Sequence, residues 1–413
     1  MQRFVEFFAG LFILCKEIET EMSQAASLTA ARDIQAARAL YTRVQRALTA
    51  FVGRTPSAPV WEGKKTVIYG AGGFGRDVAR ALLRQNVTVL GFLDRKGSGQ
   101  PVLGDLRAYS PGSFEAKRWL TERPVALIGT HNPTVSVREI ARLLTASGFT
   151  EVVTPMECYP HLRRELGWRF WLGTKEDYAD AASRIDQVRA LWADAESERL
   201  FLETLLFRLE FDLEAVTTIS GASFQYADPT VPRWKVPVRM VDGGAFTGDT
   251  LRGLLQRGYH FEAIHAFEPD LENFSRLRDT VTTLLPETEI SLWPCGIWSK
   301  TVRLKFSEGG GSGSKLSEAG AVHVPVVALD DVLHAQPVSL IKLDIEGAEA
   351  DALQGARRLI EKYRPGLAIC LYHFPHHLWS IPLWVAELNL AYRFYYRAYE
   401  QSTFETVLYA LPE

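Results

Sequence analysis

Twice in this chain a short apolar run ends in a glycine-rich turn and passes into a helical pattern. Thr66–Tyr69 leads into Gly70-Ala71-Gly72-Gly73-Phe74-Gly75 and on to Arg84, and Val238–Val241 leads into Asp242-Gly243-Gly244-Ala245-Phe246-Thr247-Gly248. Glycines in such a turn let the backbone approach a ligand, and the following helix presents free amides to negative charge. Strand, turn and helix in this order also dictate packing. The helices must lie on the faces of a mostly parallel sheet, because parallel neighbours need a long crossover.

Each turn is followed by an α/β rhythm. After the first come strand candidates Thr88–Leu93, Val125–Gly129 and Glu151–Thr154. After the second come Ala263–Phe267, Glu289–Pro294, Ser339–Leu343 and Leu367–Tyr372, closed by Tyr392–Arg397 and Thr406–Leu411. The last two are joined by a short connection and predict an antiparallel hairpin. The pattern therefore predicts an α/β protein with two Rossmann-like units. Residues 1–60 read as a helical segment, 61–160 as a small nucleotide-binding domain, 161–236 as a helical connector, and 237–413 as the second unit. The connector looks polar between about 175 and 220 and ends in Pro229, Pro232 and Pro237.

Gly70 to Gly75 is a complete GxGxxG directly after a strand, with Asp94 at the end of the next strand, 19 residues after Gly75. That is where an acid binds the ribose of a dinucleotide. The unit is short for a nicotinamide domain, and no Tyr-x-x-x-Lys occurs between 76 and 160, which favours binding over redox chemistry. The GAGG turn and Gly91-Phe92-Leu93-Asp94 resemble the small nucleotide-binding domain that precedes bacterial sugar acetyltransferases. The resemblance implies a nucleotide or nucleotide sugar at Gly70–Gly75. A fold remnant that binds nothing is the plainer reading.

In the second unit carboxylates recur at strand ends. Asp242 stands in the glycine turn, where it would repel a phosphate and suit a ligand with an ammonium group. Glu268 ends the next strand, 26 residues on, and could hold a ribose. Asp344 ends Ser339–Leu343, and Glu346 and Glu349 follow on one face of the next helix. The segments VDGGAFTGDT, AFEPD and IKLDIEGAE, in this order, resemble the FkbM family of O-methyltransferases, and the likeness runs from about 238 to 411.

That resemblance implies a class I methyltransferase fold and S-adenosylmethionine as methyl donor. Asp242, Gly243, Gly244 and Ala245 would form the donor loop, Glu268 would hold the ribose, and Asp344 would lie near the methionine moiety or the acceptor. The acceptor would be a hydroxyl of a sugar or natural product. Phe246 stands where many members have asparagine, a departure that touches a secondary contact. Outside the resemblance, His373 ends a strand candidate and could act as a general base, with His376 and His377 read as loop histidines. A magnesium ion on Asp344, Glu346, Glu349 and His373 is the alternative use of these groups, set against by acids confined to one helical turn. The rival reading of the whole chain is a bifunctional protein whose N-terminal unit senses a nucleotide or uses NAD.

A net charge of -3 without a basic cluster argues against nucleic acid as partner. Cys15, Cys158, Cys295 and Cys370 are too scattered for a zinc site or a disulfide framework, which suits a cytoplasmic protein. Phe7 to Cys15 is apolar but interrupted on both sides by charge, and falls short of the roughly 20 residues that span a bilayer. It reads as an amphipathic or partner-facing helix. Ser307 to Lys315 (SEGGGSGSK) reads as a turn between two strands, with a lid role open. A homo-oligomer is left open.

Overall fold

The computed structural model describes residues 35–53, 58–210, 225–307, 315–316, 322–400 and 402–413, and their strands sort into three sheets. The first contains β1 (Thr66–Tyr69), β2 (Val89–Leu93), β3 (Ser98–Leu103), β4 (Leu106–Tyr109), β5 (Val125–Ile128) and β6 (Val152–Val153), in the order β3-β4-β2-β1-β5-β6. β1 pairs in parallel with β2 on one side and β5 on the other. The GxGxxG turn after β1 thus stands where the strand order reverses, the crevice in which doubly wound sheets bind ligands. The β3–β4 antiparallel hairpin has no counterpart among the sequence expectations. Gly99 and Pro101 break its strand pattern, and Pro101 is tolerated because β3 is an edge strand.

The C-terminal strands are β7 (Val238–Gly243), β8 (Phe261–Phe267), β9 (Glu289–Trp293), β10 (Gly296–Ile297), β11 (Val302–Ser307), β12 (Lys315–Leu316), β13 (Val322–Val327), β14 (Leu340–Leu343), β15 (Gly366–Cys370), β16 (Tyr392–Ala398) and β17 (Thr406–Pro412). Seven form one sheet in the order β16-β17-β15-β14-β7-β8-β9, and β10 to β13 form a small separate one. β7, β8, β9, β14 and β15 run parallel, while β17 is antiparallel to both β15 and β16. β14 and β15 are buried throughout, as continuous apolar runs require when both sheet faces are covered. The glycine-rich turn at 308–314 and the apolar run Phe7 to Cys15 lie outside the described residues.

The stretch read as polar near 175–220 contains the helix Ala195–Glu210, which is buried from Leu200 to Leu209. It packs on β16, where Ser197 Oγ accepts from the Tyr396 amide at 2.9 Å and the Tyr396 hydroxyl donates to Thr204 at 2.9 Å. Its charges mislead because they are paired inside: Arg199 bonds Glu203, and the buried Arg208 bonds the Thr403 hydroxyl and carbonyl. The two Rossmann-like units meet through aromatic rings. Trp168 Nε1 donates to the His373 carbonyl at 2.7 Å, and the rings of His131 and Phe404 lie 4.8 Å apart. Among the described residues no helix is long and apolar enough to cross a membrane.

The glycine turn of the first unit is sterically exacting at one position. A Cβ on Gly75 would lie 2.0 Å from the Gly70 carbonyl oxygen and 3.0 Å from that of Gly129, whereas nothing lies within 4 Å of one on Gly73. Gly75→Ala should therefore lose about 1–3 kcal/mol by forced backbone displacement, and Gly73→Ala should stay within about 0.5 kcal/mol of wild type in urea unfolding. Equal stabilities for the two variants would contradict this packing.

Candidate functional site

The carboxyl ends of β7, β8 and β14 open onto one cavity of about 350 Å³. Gly244, Phe246, Glu268 and Asp344 line it, together with Tyr226, Lys342, Glu346, Tyr372 and Glu405. Gly244 makes the arrangement possible. It has a φ of +73°, and a Cβ there would stand 1.9 Å from the Asp344 carbonyl oxygen, so the turn after β7 and the end of β14 touch backbone to backbone. The Gly244 and Ala245 amides both donate to the Phe267 carbonyl, at 3.1 and 3.0 Å, which docks the turn against β8 as well.

Asp242, Gly243 and Ala245 do not line the cavity; they form the floor behind it. The Asp242 carboxylate is fully buried and lies 3.1 Å from Lys342 Nζ, which is 3% exposed. The same ammonium donates to the carbonyls of Gly243 at 3.2 Å and Gly244 at 2.8 Å. Burial works to lower the Lys342 pKa, but the charges of Asp242, Asp344 and Asp249 outweigh it and hold the ammonium above its ordinary value. Burial raises the Asp242 pKa, and Lys342 opposes that rise. Lys342 was not singled out in the sequence, although a lysine inside the apolar run Ile341–Leu343 is a signal that a buried partner exists.

Glu268 is 6% exposed at the end of β8. Its two oxygens accept from the Phe246 amide at 2.9 Å and the Asp270 amide at 2.8 Å. Burial pushes its carboxyl up to about 7 despite those bonds. Each oxygen keeps a further lone pair toward the cavity. Asp270 caps the next helix, accepting from the Asn273 amide, as its sequence position suggested. Asp344 accepts from two hydroxyls, Tyr372 at 3.0 Å and Tyr226 at 3.1 Å. Tyr226 comes from the segment before β7, far from the motifs, and carried no signal in the sequence.

His373 does not reach the cavity, and this revises the expectation that it meets the acceptor as a general base. It is fully buried behind Asp344, with Nδ1 2.9 Å from Glu349 Oε1, and with Nε2 3.6 Å from Asp344 and 3.7 Å from Glu346. Burial would lower its pKa, but Glu349, Glu346 and Asp344 push it up to about 10. Burial alone would raise Glu349, yet His373 brings it down to about 2. Glu349, which the sequence places on one face of the next helix, is thus an interior anchor that also accepts from the Ile345 amide at 2.9 Å. His377 is no loop residue: it starts the helix His377–Glu387, and burial drives its pKa down to about 3. Burial pushes Glu346 up to about 8, and burial with the Asp344 charge pushes Glu405 up to about 7.

In the N-terminal unit, Asp94 lies where a ribose-binding acid was expected. Its carboxylate accepts from the Ala71 amide at 3.1 Å and the Lys96 amide at 3.0 Å, so it braces the glycine turn. His131, after β5, is buried beside Phe74 of that turn, with ring centroids 5.7 Å apart.

The strand order of the C-terminal sheet, with its closing antiparallel pair and its cavity at the ends of the central parallel strands, defines a class I methyltransferase fold. Residues 242–395 match the sequence profile of the methyltransferase FkbM domain. The chain is similar in fold to the crystal structure of methyltransferase FkbM from Methylobacillus flagellatus KT. The TM-score is 0.71 at 23% identity, over 91% of this chain and 100% of that one. A weaker likeness, with a TM-score of 0.29 and 13% identity, covers 44% of this chain and 89% of an rRNA methylase from Streptococcus thermophilus. A comparison with curated protein sequences finds no match.

Removing one member of a buried ion pair leaves the other uncompensated, at a cost of about 3–5 kcal/mol. Lys342→Met should destabilise the chain by that amount in urea unfolding. Wild-type stability in that variant would show that the pair does not hold the turn.

Proposed function

We propose that the chain is an S-adenosylmethionine-dependent O-methyltransferase whose acceptor is a hydroxyl of a sugar or natural-product scaffold. One observation carries the reading: a single cavity presents Glu268 on one wall and Asp344 on the other, with the Gly244 backbone between them. In this reading the Glu268 carboxylate takes the ribose diol of the donor, and Pro269 and Ile297 give its adenine an apolar seat. Asp242 serves through Lys342, whose ammonium fixes the carbonyls of the donor loop. The acceptor lies by Asp344, Tyr226, Tyr372 and Glu405, a polar wall suited to a polyhydroxylated molecule. Its oxygen attacks the methyl carbon in line with the departing sulfur, the carbon–sulfur bond breaks to give S-adenosylhomocysteine, and the hydroxyl proton passes to Asp344.

Holding two reactants in line can supply roughly 7–11 kcal/mol, against roughly 3–5 kcal/mol for a general base. A methyl transfer therefore depends first on the walls of the cavity. His373, set behind Asp344, acts as a positioning residue. The shape of the Gly70–Gly75 turn supports a nucleotide or nucleotide-sugar site in the N-terminal unit, with Asp94 shaping the turn from beneath.

Two outcomes test the assignment. Asp344→Asn should bind S-adenosylmethionine with wild-type affinity in calorimetry but lose about 10²–10⁴-fold in turnover of a hydroxyl acceptor; full turnover would refute the role of Asp344. Glu268→Gln should weaken donor binding about tenfold or more, the worth of a hydrogen bond to a charged group.

A third outcome concerns pH. Glu268 titrates near 7, so the cavity gains negative charge as pH rises through neutrality. The affinity for the sulfonium-bearing donor should increase from about pH 6 to about pH 8, more than that for uncharged-sulfur S-adenosylhomocysteine, and Glu268→Gln should flatten the difference. Identical pH profiles for the two ligands would remove Glu268 from the donor site.

A further inference from the structure

We propose that a second cavity, at the amino ends of β14 and β15, binds a nucleoside diphosphate or a similar ring-bearing phosphate. It lies on the edge of the C-terminal sheet opposite the cavity of Glu268 and Asp344, beside Ser339 and Gly366. Its volume is about 570 Å³, within the range of roughly 300–1,000 Å³ that holds a small molecule. Arg233, Lys235, Arg364 and Arg393 line it, and Glu413 is the one acid among the lining residues.

These four cations are exposed, and among the described residues none of them joins an ion pair. Neighbouring groups are paired: Arg239 of β7 bonds Glu262, and Arg357, in the helix that Arg364 ends, bonds Glu361. Two of the four are held by other means. Arg233 donates to the Arg257 carbonyl at 3.1 Å and lies 4.8 Å over the Tyr259 ring, while Arg393 lies 5.9 Å over the ring of Tyr395. Arg364 closes the helix Arg357–Tyr363 with a φ of +45°, a position that glycine takes at less cost. Like charges around one hollow repel one another, and a phosphate between them reverses the sign of that interaction.

The side chains also select the kind of anion. An arginine fork matches phosphate oxygens in pairs, and a lysine adds a point charge. Trp234, Tyr363 and Tyr395 line the same cavity and give a ring surface on which a base can stack. Alternation along β16 sets Arg393 and Tyr395 on one face, so charge and ring stand side by side. Trp234 is pinned. Its Nε1 donates to the Tyr226 carbonyl at 2.6 Å, and its ring covers Gly366, where a Cβ would lie 2.7 Å away. The cations come from three stretches far apart in the chain, so no basic run marks them in the sequence. The concave form suits a small phosphate rather than a membrane surface or a duplex. This site is separate from the Gly70–Gly75 turn, and its ligand is independent of the methyl-transfer reading.

The test titrates the full chain with ADP in calorimetry and photo-cross-links it to 8-azido-ADP, with the labelled peptides identified by mass spectrometry. Label should fall on the stretches 232–235, 363–366 or 393–395, and rising salt should weaken that binding. Lys235→Glu combined with Arg393→Glu, with an unchanged circular dichroism spectrum, should remove the label there and weaken the binding about tenfold or more. No ADP binding up to about 1 mM would overturn the site, as would label confined to Gly70–Gly75 or to the cavity of Glu268. Undiminished labelling in the double variant would do the same, and so would a single-stranded oligonucleotide binding this face when ADP does not.

Discussion

The ammonium of Lys342 ties the two central strands of the C-terminal sheet together and shapes the turn between them. It lies 3.1 Å from the Asp242 carboxylate and donates to the carbonyls of Gly243 and Gly244, so one charged group faces a carboxylate and two main-chain oxygens in a dry interior. A lone carboxylate at that depth would cost several kcal/mol and would tend to protonate. With the lysine in place the turn can lie close against the end of β14, where only glycine fits at 244. Every cavity wall inherits its position from that contact, because Glu268 grips the Phe246 amide on one side and Asp344 follows β14 on the other.

Around this fixed turn the acidic groups fall into two kinds. Glu349 and Asp242 are fully buried, each beside one close cationic or imidazole partner, and serve as supports. Glu268, Glu346 and Glu405 face the cavity, and burial pushes each of them toward neutrality. Cavity acids whose charge is disfavoured by burial gain most from a positive ligand. Such a wall suits a positively charged ligand better than a phosphate.

The two Rossmann-like units are joined close to this cavity. Phe404 packs on His131, next to the N-terminal glycine turn, while its neighbour Glu405 lines the C-terminal cavity. Phe170 bridges the same contact, with its ring 5.3 Å from Phe404 and 6.1 Å from His373. The two crevices are thus bordered by adjacent residues of one turn, Phe404 and Glu405.

Local chemistry made much of this legible beforehand. Strand-length apolar runs, glycine turns and strand-end carboxylates are written in contiguous residues, and these predicted the α/β class, both sheets' parallel strands and the closing hairpin. The β3–β4 hairpin was hidden by Gly99 and Pro101, and the buried helix Ala195–Glu210 by charges whose partners lie elsewhere. The sequence by itself determined which residues end the central strands, and therefore Glu268 and Asp344 as cavity walls. Only the tertiary structure decided that Asp242 faces Lys342 rather than solvent, that His373 lies behind Asp344, and that Tyr226 and Glu405 complete the wall. Those outcomes depend on contacts between residues far apart in the chain, where burial and pairing set what each charged group can do.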